Sequence, residues 1–204
     1  MKKRPVQQRS RMMVKSIIDA ACQVIAEEGL DALTTNRVAE LAGISNGSFY
    51  QYFYDRADLI EAVLEQVSQD ANQMFNRQLG QLDTRQVDVQ TLSKMALQMS
   101  LAFLRSNALY PELIRNWHRL PIQRLFDPIA QHLASISRTY LLQHVEHYSL
   151  DHLHTKLYVL INSTIFTMIR YLHEEDPILK EPQIINCLAN MVELVLRDQL
   201  PDSP

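Results

Sequence analysis

Between Ser45 and Tyr52 the chain sets out hydrogen-bonding groups with no acid and no base among them: Ser45, Asn46, Gly47, Ser48, Tyr50, Gln51 and Tyr52. Hydroxyls and amides of this kind bond phosphate oxygens and base edges, and Asn and Gln suit adenine. Gly47 costs helix stability but lets a backbone come close to a partner. Thr34, Thr35, Arg37 and Arg56 flank this run and complete a candidate set for contact with nucleic acid. Other chemistry finds little footing. There is no Ser, His and Asp set suited to nucleophilic catalysis, no glycine-rich phosphate loop and no HExxH, so no catalytic residue is expected. His144, His147, His152 and His154 crowd one stretch, but no cysteine or acidic trio completes a tetrahedral set. They read as surface histidines, with no metal and no cofactor implied. Cys22 and Cys187 lie far apart, each inside an expected helix, and read as core thiols.

The elements that must hold the polar run are two short helices about a tight turn. Thr34 or Thr35 caps the first, with Val38, Leu41 and Ala42 on its buried side. Gly43 ends it, because only glycine enters the left-handed conformation without steric cost. Ser45 caps the second helix, Ala39 permits close crossing, and Ile44, Phe49 and Phe53 fix the angle. Asp55 caps a fourth helix, with Asp58 in the capping-box place. A first helix carrying Val14, Ile17, Ile18, Ala21, Cys22 and Ile25 and stopped by Gly29 roofs the pair. This is a helix-turn-helix, whose dominant use is to present its second helix to the DNA major groove. Net charge is −3, yet residues 1–15 carry Lys2, Lys3, Arg4, Arg9, Arg11 and Lys15 with no acid, a basic arm suited to phosphate.

On these residues the chain resembles the tetracycline-repressor (TetR) family of bacterial regulators. The threonine-led helix is Thr34-Thr35, the Ala-Gly turn Ala42-Gly43, the Ser-x-Gly start Ser45-Asn46-Gly47, and the Tyr-x-x-Phe finish Tyr50 to Phe53. With Ile17-Ile18-Asp19-Ala20-Ala21 and Glu28-Gly29 upstream and Leu59 closing the pattern, the resemblance covers roughly residues 11–60. Tyr52 stands where a histidine is common, and Arg56-Ala57-Asp58 replaces a Lys-Glu-x run. A tyrosine hydroxyl and the Arg56 charge both keep phosphate contact within reach, while base preference stays open.

Composition and periodicity give an all-α chain of about nine helices: a three-helix helix-turn-helix head, residues 1–56, joined to a helical bundle body, residues 57–204. Strand signals are scarce and 47% of residues are apolar, enough for substantial cores. A helix from Arg56 to about Gln78 leads to a linker near Gly80 to Gln90, and a later long helix is expected from about Ile129 to Tyr148. The last two helices, about Leu150 to Glu174 and Glu181 to Gln199, have apolar stripes too wide for one contact. A homodimer through a four-helix bundle is therefore expected, with Ile161, Ile165, Met168, Leu188, Met191, Val192 and Val195 at the seam. Such a dimer would space two recognition helices about 34 Å apart, one turn of DNA. Met99, Phe103, Trp117, Phe126, Tyr140 and Phe166, with Asn162 and Arg170 as polar anchors, are the candidate lining of a pocket for a small lipophilic or aromatic effector. The family's habit of inducer binding carries that expectation. No apolar run suits a membrane span and no charged-then-apolar leader appears, so a cytoplasmic location is expected. The resemblance implies a ligand-responsive regulator, a repressor released from double-stranded operator DNA. The alternative is a non-enzymatic, DNA-associated scaffold or interaction protein without an effector.

Overall fold

The computed structural model describes residues 8–79, 82–174 and 178–197. Among the described residues there are nine α-helices and no strand: α1 (Gln8–Glu28), α2 (Thr35–Leu41), α3 (Asn46–Tyr52), α4 (Arg56–Leu79), α5 (Val89–Arg105), α6 (Leu109–Arg115), α7 (Gln123–Gln143), α8 (Leu153–Glu174) and α9 (Glu181–Arg197). The chain divides into two compact units, one of residues 1–70 with 104–126, the other of 71–103 with 127–204. The division falls inside α4 and returns a later segment to the first unit, whereas the sequence pattern suggested a single break near residue 56.

The first unit is built on α1, where Ile17, Ala21, Val24 and Ile25 recur at helical spacing and are buried. Phe49, Phe53, Leu59, Val63 and Leu64 are fully enclosed as well. Each such side chain contributes about 1.5–3 kcal/mol relative to an exposed position. The segment after α5 joins this unit through its contacts with α1 and the turn that follows it. α6 packs on α1, burying Leu109, Tyr110 and Leu113. Glu112 reinforces the contact: Oε1 accepts from the Leu30 backbone N–H at 3.1 Å and from Asn116 Nδ2 at 2.9 Å. Its other oxygen accepts from Arg115 at 2.7 Å. Gly29 lies at φ +89, and a Cβ there would meet Glu112 Oε1 at 3.4 Å. Backbone conformation and close approach both call for glycine at this turn. Arg119 adds an ion pair to Asp31, and its guanidinium holds that carboxyl below its ordinary range.

The second unit holds two cores. One gathers Val89, Tyr140, Leu141, Tyr148, Leu157, Leu160 and Leu196; the other gathers Leu97, Leu101, Met168, Ile185 and Leu188. α7 begins at Gln123, ahead of the expected start, and carries Pro128 inside it. Pro128 lies past the first turn and has no N–H to give the Arg124 carbonyl, so one bond of the helix ladder is missing there. The helix stops at Gln143 and not at Tyr148. Tyr148 folds back instead, its hydroxyl accepting the Val89 N–H at 3.2 Å, and Ser149 N–H reaches the Leu196 carbonyl at 3.2 Å.

Candidate functional site

The polar run is held by capping and turn geometry. Thr34 is extended, and its hydroxyl accepts the Arg37 N–H at 3.1 Å, starting α2. Val38 and Ala39 are buried. Leu41, expected on the same face, is 37% exposed, so the inner side of α2 runs through the smaller Ala39 and lets α3 come close. Ala42, Gly43 and Ile44 donate back to Val38, Glu40 and Ala39 and close the helix end. Gly43 sits at φ +66 with nothing within 4 Å of a Cβ position, so backbone conformation alone selects glycine there. Ser45 then caps α3, its hydroxyl accepting the Ser48 N–H at 3.1 Å.

α3 points its aromatic anchor inward. Phe49 is buried and its ring lies 5.6 Å from Phe53. Ser45, Asn46, Gly47, Tyr50 and Gln51 are exposed on the other side, with Ser48 and Tyr52 half-buried beside them. Tyr50 packs edge-on to Phe49 at 5.4 Å, and its hydroxyl is 3.3 Å from Thr35 Oγ1. That contact joins the start of α2 to the outer face of α3 and brings two candidate contact residues together.

The two flanking arginines are otherwise engaged. Arg37 bonds Glu28 at 2.8 and 2.9 Å and Glu40 at 3.1 Å, and the Glu28 hydrogen bond raises its already high pKa further. Arg56 donates Nε–H to the Leu33 carbonyl at 2.7 Å and Nη2–H to the Leu30 carbonyl at 2.8 Å. It fastens the turn before α2 to the start of α4, a structural task that residue type and spacing did not show. In the basic arm, Lys2, Lys3 and Arg4 lie outside the described residues, Arg9 and Arg11 are exposed at the start of α1, and Lys15 pairs with Asp19 at 2.8 Å. The outer face of α3 is thus neutral, polar and rich in short donors, which suits hydrogen bonding to base edges and phosphate oxygens.

Residues 17–63 match the family model described as bacterial regulatory proteins, tetR family. Over these residues the head is similar to the TetR family. The chain is 30% identical over 119 residues to the DNA-binding transcriptional repressor TetR of Mycobacteroides abscessus, covering 58% of each chain. It is 27% identical over 107 residues to the nucleoid occlusion factor SlmA of Glaesserella parasuis, covering 52% of this chain and 49% of that protein. It therefore spans about half the length of the curated relatives it matches. A crystal structure of a putative TetR-family regulator from Mesorhizobium loti shares the fold, with TM-score 0.66, 17% identity, and coverage of 93% of this chain and 98% of that one.

The second unit contains an apolar cavity of about 160 Å³, walled by side chains that include Phe75, Leu92, Leu133, Ile136, Tyr140 and Leu160. Ser93, Ser100, Ser137 and Thr164 supply its aliphatic hydroxyls, and among the described residues no carboxylate, lysine, arginine or histidine lines it. Burial pushes the Tyr140 phenol up, and its hydroxyl donates to the Val87 carbonyl at 2.7 Å. Of the candidate pocket residues, Tyr140 lines this cavity. Asn162 lines a separate hollow of about 500 Å³ with Arg138, His154 and Tyr158. Phe166 is exposed, and so is Arg170, on the stripe of α8 that carries Tyr158 and Asn162. Met99 and Phe103 belong to the second unit but do not wall either hollow, and Trp117 and Phe126 fall in the first unit.

The expected seam residues also face inward. Met168 and Leu188 are buried in one core, and Ile161, Met191, Val192 and Val195 pack on the two cores. Ile165 walls the cavity. The large apolar side chains left outward on α8 and α9 are Tyr158 at 66%, Val159 at 49%, Phe166 at 41% and Leu194 at 68% exposure. A stripe apolar on two sides does not say which side its own core takes.

Among the described residues no group of three His, Cys, Asp or Glu could hold a metal. His144 is spent on structure, stacked on Tyr140 at 4.2 Å with a ring nitrogen 2.9 Å from the Tyr140 carbonyl. Cys22 is a free thiol that burial pushes up to about 12, which suits an inert core group. Cys187, expected in a core, is exposed on α9. No helix among the described residues is long and apolar enough to cross a membrane.

Proposed function

We propose that this protein is a homodimeric transcriptional repressor that holds operator DNA through α3 and releases it when a small lipophilic effector enters the second unit. The outer face of α3 carries the reading: Ser45, Asn46, Gly47, Tyr50 and Gln51 stand exposed on a helix anchored from behind by a fully buried Phe49. Tyr52 and Ser48 flank that face within phosphate reach, and Thr34 and Thr35 extend it at the start of α2. The TetR-family head supports DNA as the partner. Two-fold pairing supplies the second half-site contact, and the exposed Tyr158, Val159, Phe166 and Leu194 are the surface that pairing would cover.

The apolar cavity supports an effector. A ligand shifts an equilibrium only by its differential affinity for two states, and a hundredfold loss of operator affinity requires a difference of about 2.8 kcal/mol. The test is a gel shift with DNA from upstream of the chain's own coding region, at several salt concentrations. Sequence-selective binding with a steep salt slope is expected; binding indifferent to sequence overturns the reading. The name of the SlmA relative favours a second reading, a DNA-associated role in nucleoid occlusion without an effector. Sequence-selective binding that no lipophile alters would favour it.

A further inference from the structure

Among the described residues of the second unit, two side-chain polar atoms are buried without a hydrogen-bond partner, Asn72 Oδ1 on α4 and His132 Nε2 on α7. Such orphans are uncommon, because each forfeits the hydrogen bonds it would make in water. Their positions relate them to the apolar cavity. Asn72 Nδ2 donates to the Pro128 carbonyl at 3.5 Å, which places α4 beside α7 and leaves Oδ1 as an acceptor seeking a donor. From that contact each helix continues into the cavity wall. Asn72 shares a stripe with Phe75 and Leu79, at i+3 and i+7, and His132 shares one with Ile136 and Tyr140, at i+4 and i+8; all four wall the cavity. Neither orphan lines the cavity itself; each precedes lining residues of its own helix by about one turn, on the side of the Asn72–Pro128 contact.

Resting on the effector reading above, we infer that Asn72 and His132 form the polar end of the effector site, and that the effector is an uncharged amphiphile headed by a hydroxyl. A hydroxyl donates one hydrogen bond and accepts others, so one oxygen can donate to Asn72 Oδ1 and accept from His132 Nε2–H in the neutral tautomer that carries its hydrogen there. A carbonyl or ether oxygen satisfies at most the histidine. A carboxylate or ammonium finds no counter-charge in the lining, and desolvating it there is costly. The remainder of the ligand is apolar and compact enough for a cavity of about 160 Å³.

The test compares 4-propylphenol with its methyl ether, 4-propylanisole, which keeps the apolar body and loses the donor. Calorimetric titration of the full chain is expected to show the phenol binding roughly tenfold more tightly than the ether. In the Asn72→Leu/His132→Leu double variant the preference should fall within about twofold while the ether still binds, since replacing both polar partners by apolar groups of similar size is tolerated. Equal binding of the two compounds by the unmodified protein, no binding of either, or a preference that survives the double substitution overturns the inference. The comparison in the unmodified chain decides even if the variant does not fold. Operator release, measured in parallel, separates the two readings. A phenol that binds with the expected preference and leaves DNA binding unchanged sinks the effector reading and keeps the site. Release of DNA by phenol and ether alike does the reverse.

Discussion

Arg56 offers the sharpest test of how the head is built. Its type and position suit a phosphate contact, yet its guanidinium donates to the Leu30 and Leu33 carbonyls at 2.8 and 2.7 Å. Hydrogen bonds from a charged donor contribute about 1.5–3 kcal/mol each, and the half-buried setting favours the lower end. Arg56→Ala should therefore cost about 3 kcal/mol, which in a chain of this size lowers the melting temperature by roughly 6–12 °C. Arg56→Lys, whose single ammonium cannot span both carbonyls in the same geometry, should recover about half of that. The assay is paired: thermal melting for stability, and operator affinity against salt concentration below the melting range. A lost phosphate contact would reduce the slope of log K against log salt by about 0.9. The structure requires that slope to stay unchanged. An Arg56→Ala protein that melts with the unmodified chain and loses about one unit of slope would refute the structural role.

Replacing Tyr50 with Phe removes its 3.3 Å contact with Thr35 on an exposed surface. Stability should change by less than about 0.5 kcal/mol while operator affinity falls roughly 5- to 100-fold; unchanged affinity by gel shift would remove that hydroxyl from the contact set. Phe166→Glu combined with Leu194→Lys should give monomers by sedimentation velocity with helicity retained, whereas a surviving dimer would place the seam elsewhere. Asp88 caps α5, and the Thr91 backbone N–H, bonded at 2.8 Å, holds its carboxyl below the ordinary value. A depressed folded pKa adds stability that is present above the unfolded pKa and fades as pH falls through the folded one. Asp88→Ala should thus cost about 0.5–1 kcal/mol at neutral pH, and the gap in urea midpoints should close in acid. A gap independent of pH would contradict the cap. With Cys187 replaced by Ser, Cys22 should label with maleimide only when the chain is denatured; rapid labelling of the native protein would show that the thiol is not held in the core.

The chain announced by itself the parts whose causes lie within a few residues of one another. A threonine cap at 34 or 35, Ser45 as the second cap, Gly43 as the left-handed stop and Phe49 as an apolar anchor each follow from backbone hydrogen bonding and steric rules acting over one or two turns, and folding selected Thr34 of the two threonines. The all-α class followed from periodicity for the same reason. Tertiary structure decided whatever depends on partners distant in sequence. Arg37 and Arg56 carry identical chemistry on paper, and only folding set Glu28 beside one and the Leu30 and Leu33 carbonyls beside the other. α8 and α9 are apolar around too much of their circumference for sequence to say which side meets their own core. Packing turned Met168 and Leu188 inward and left Phe166 and Leu194 outside. The return of α6 to the first unit, held by Glu112 on the Leu30 N–H across 82 residues, belongs to the same class. A periodic pattern specifies that a face is buried, and only the assembled core specifies against what.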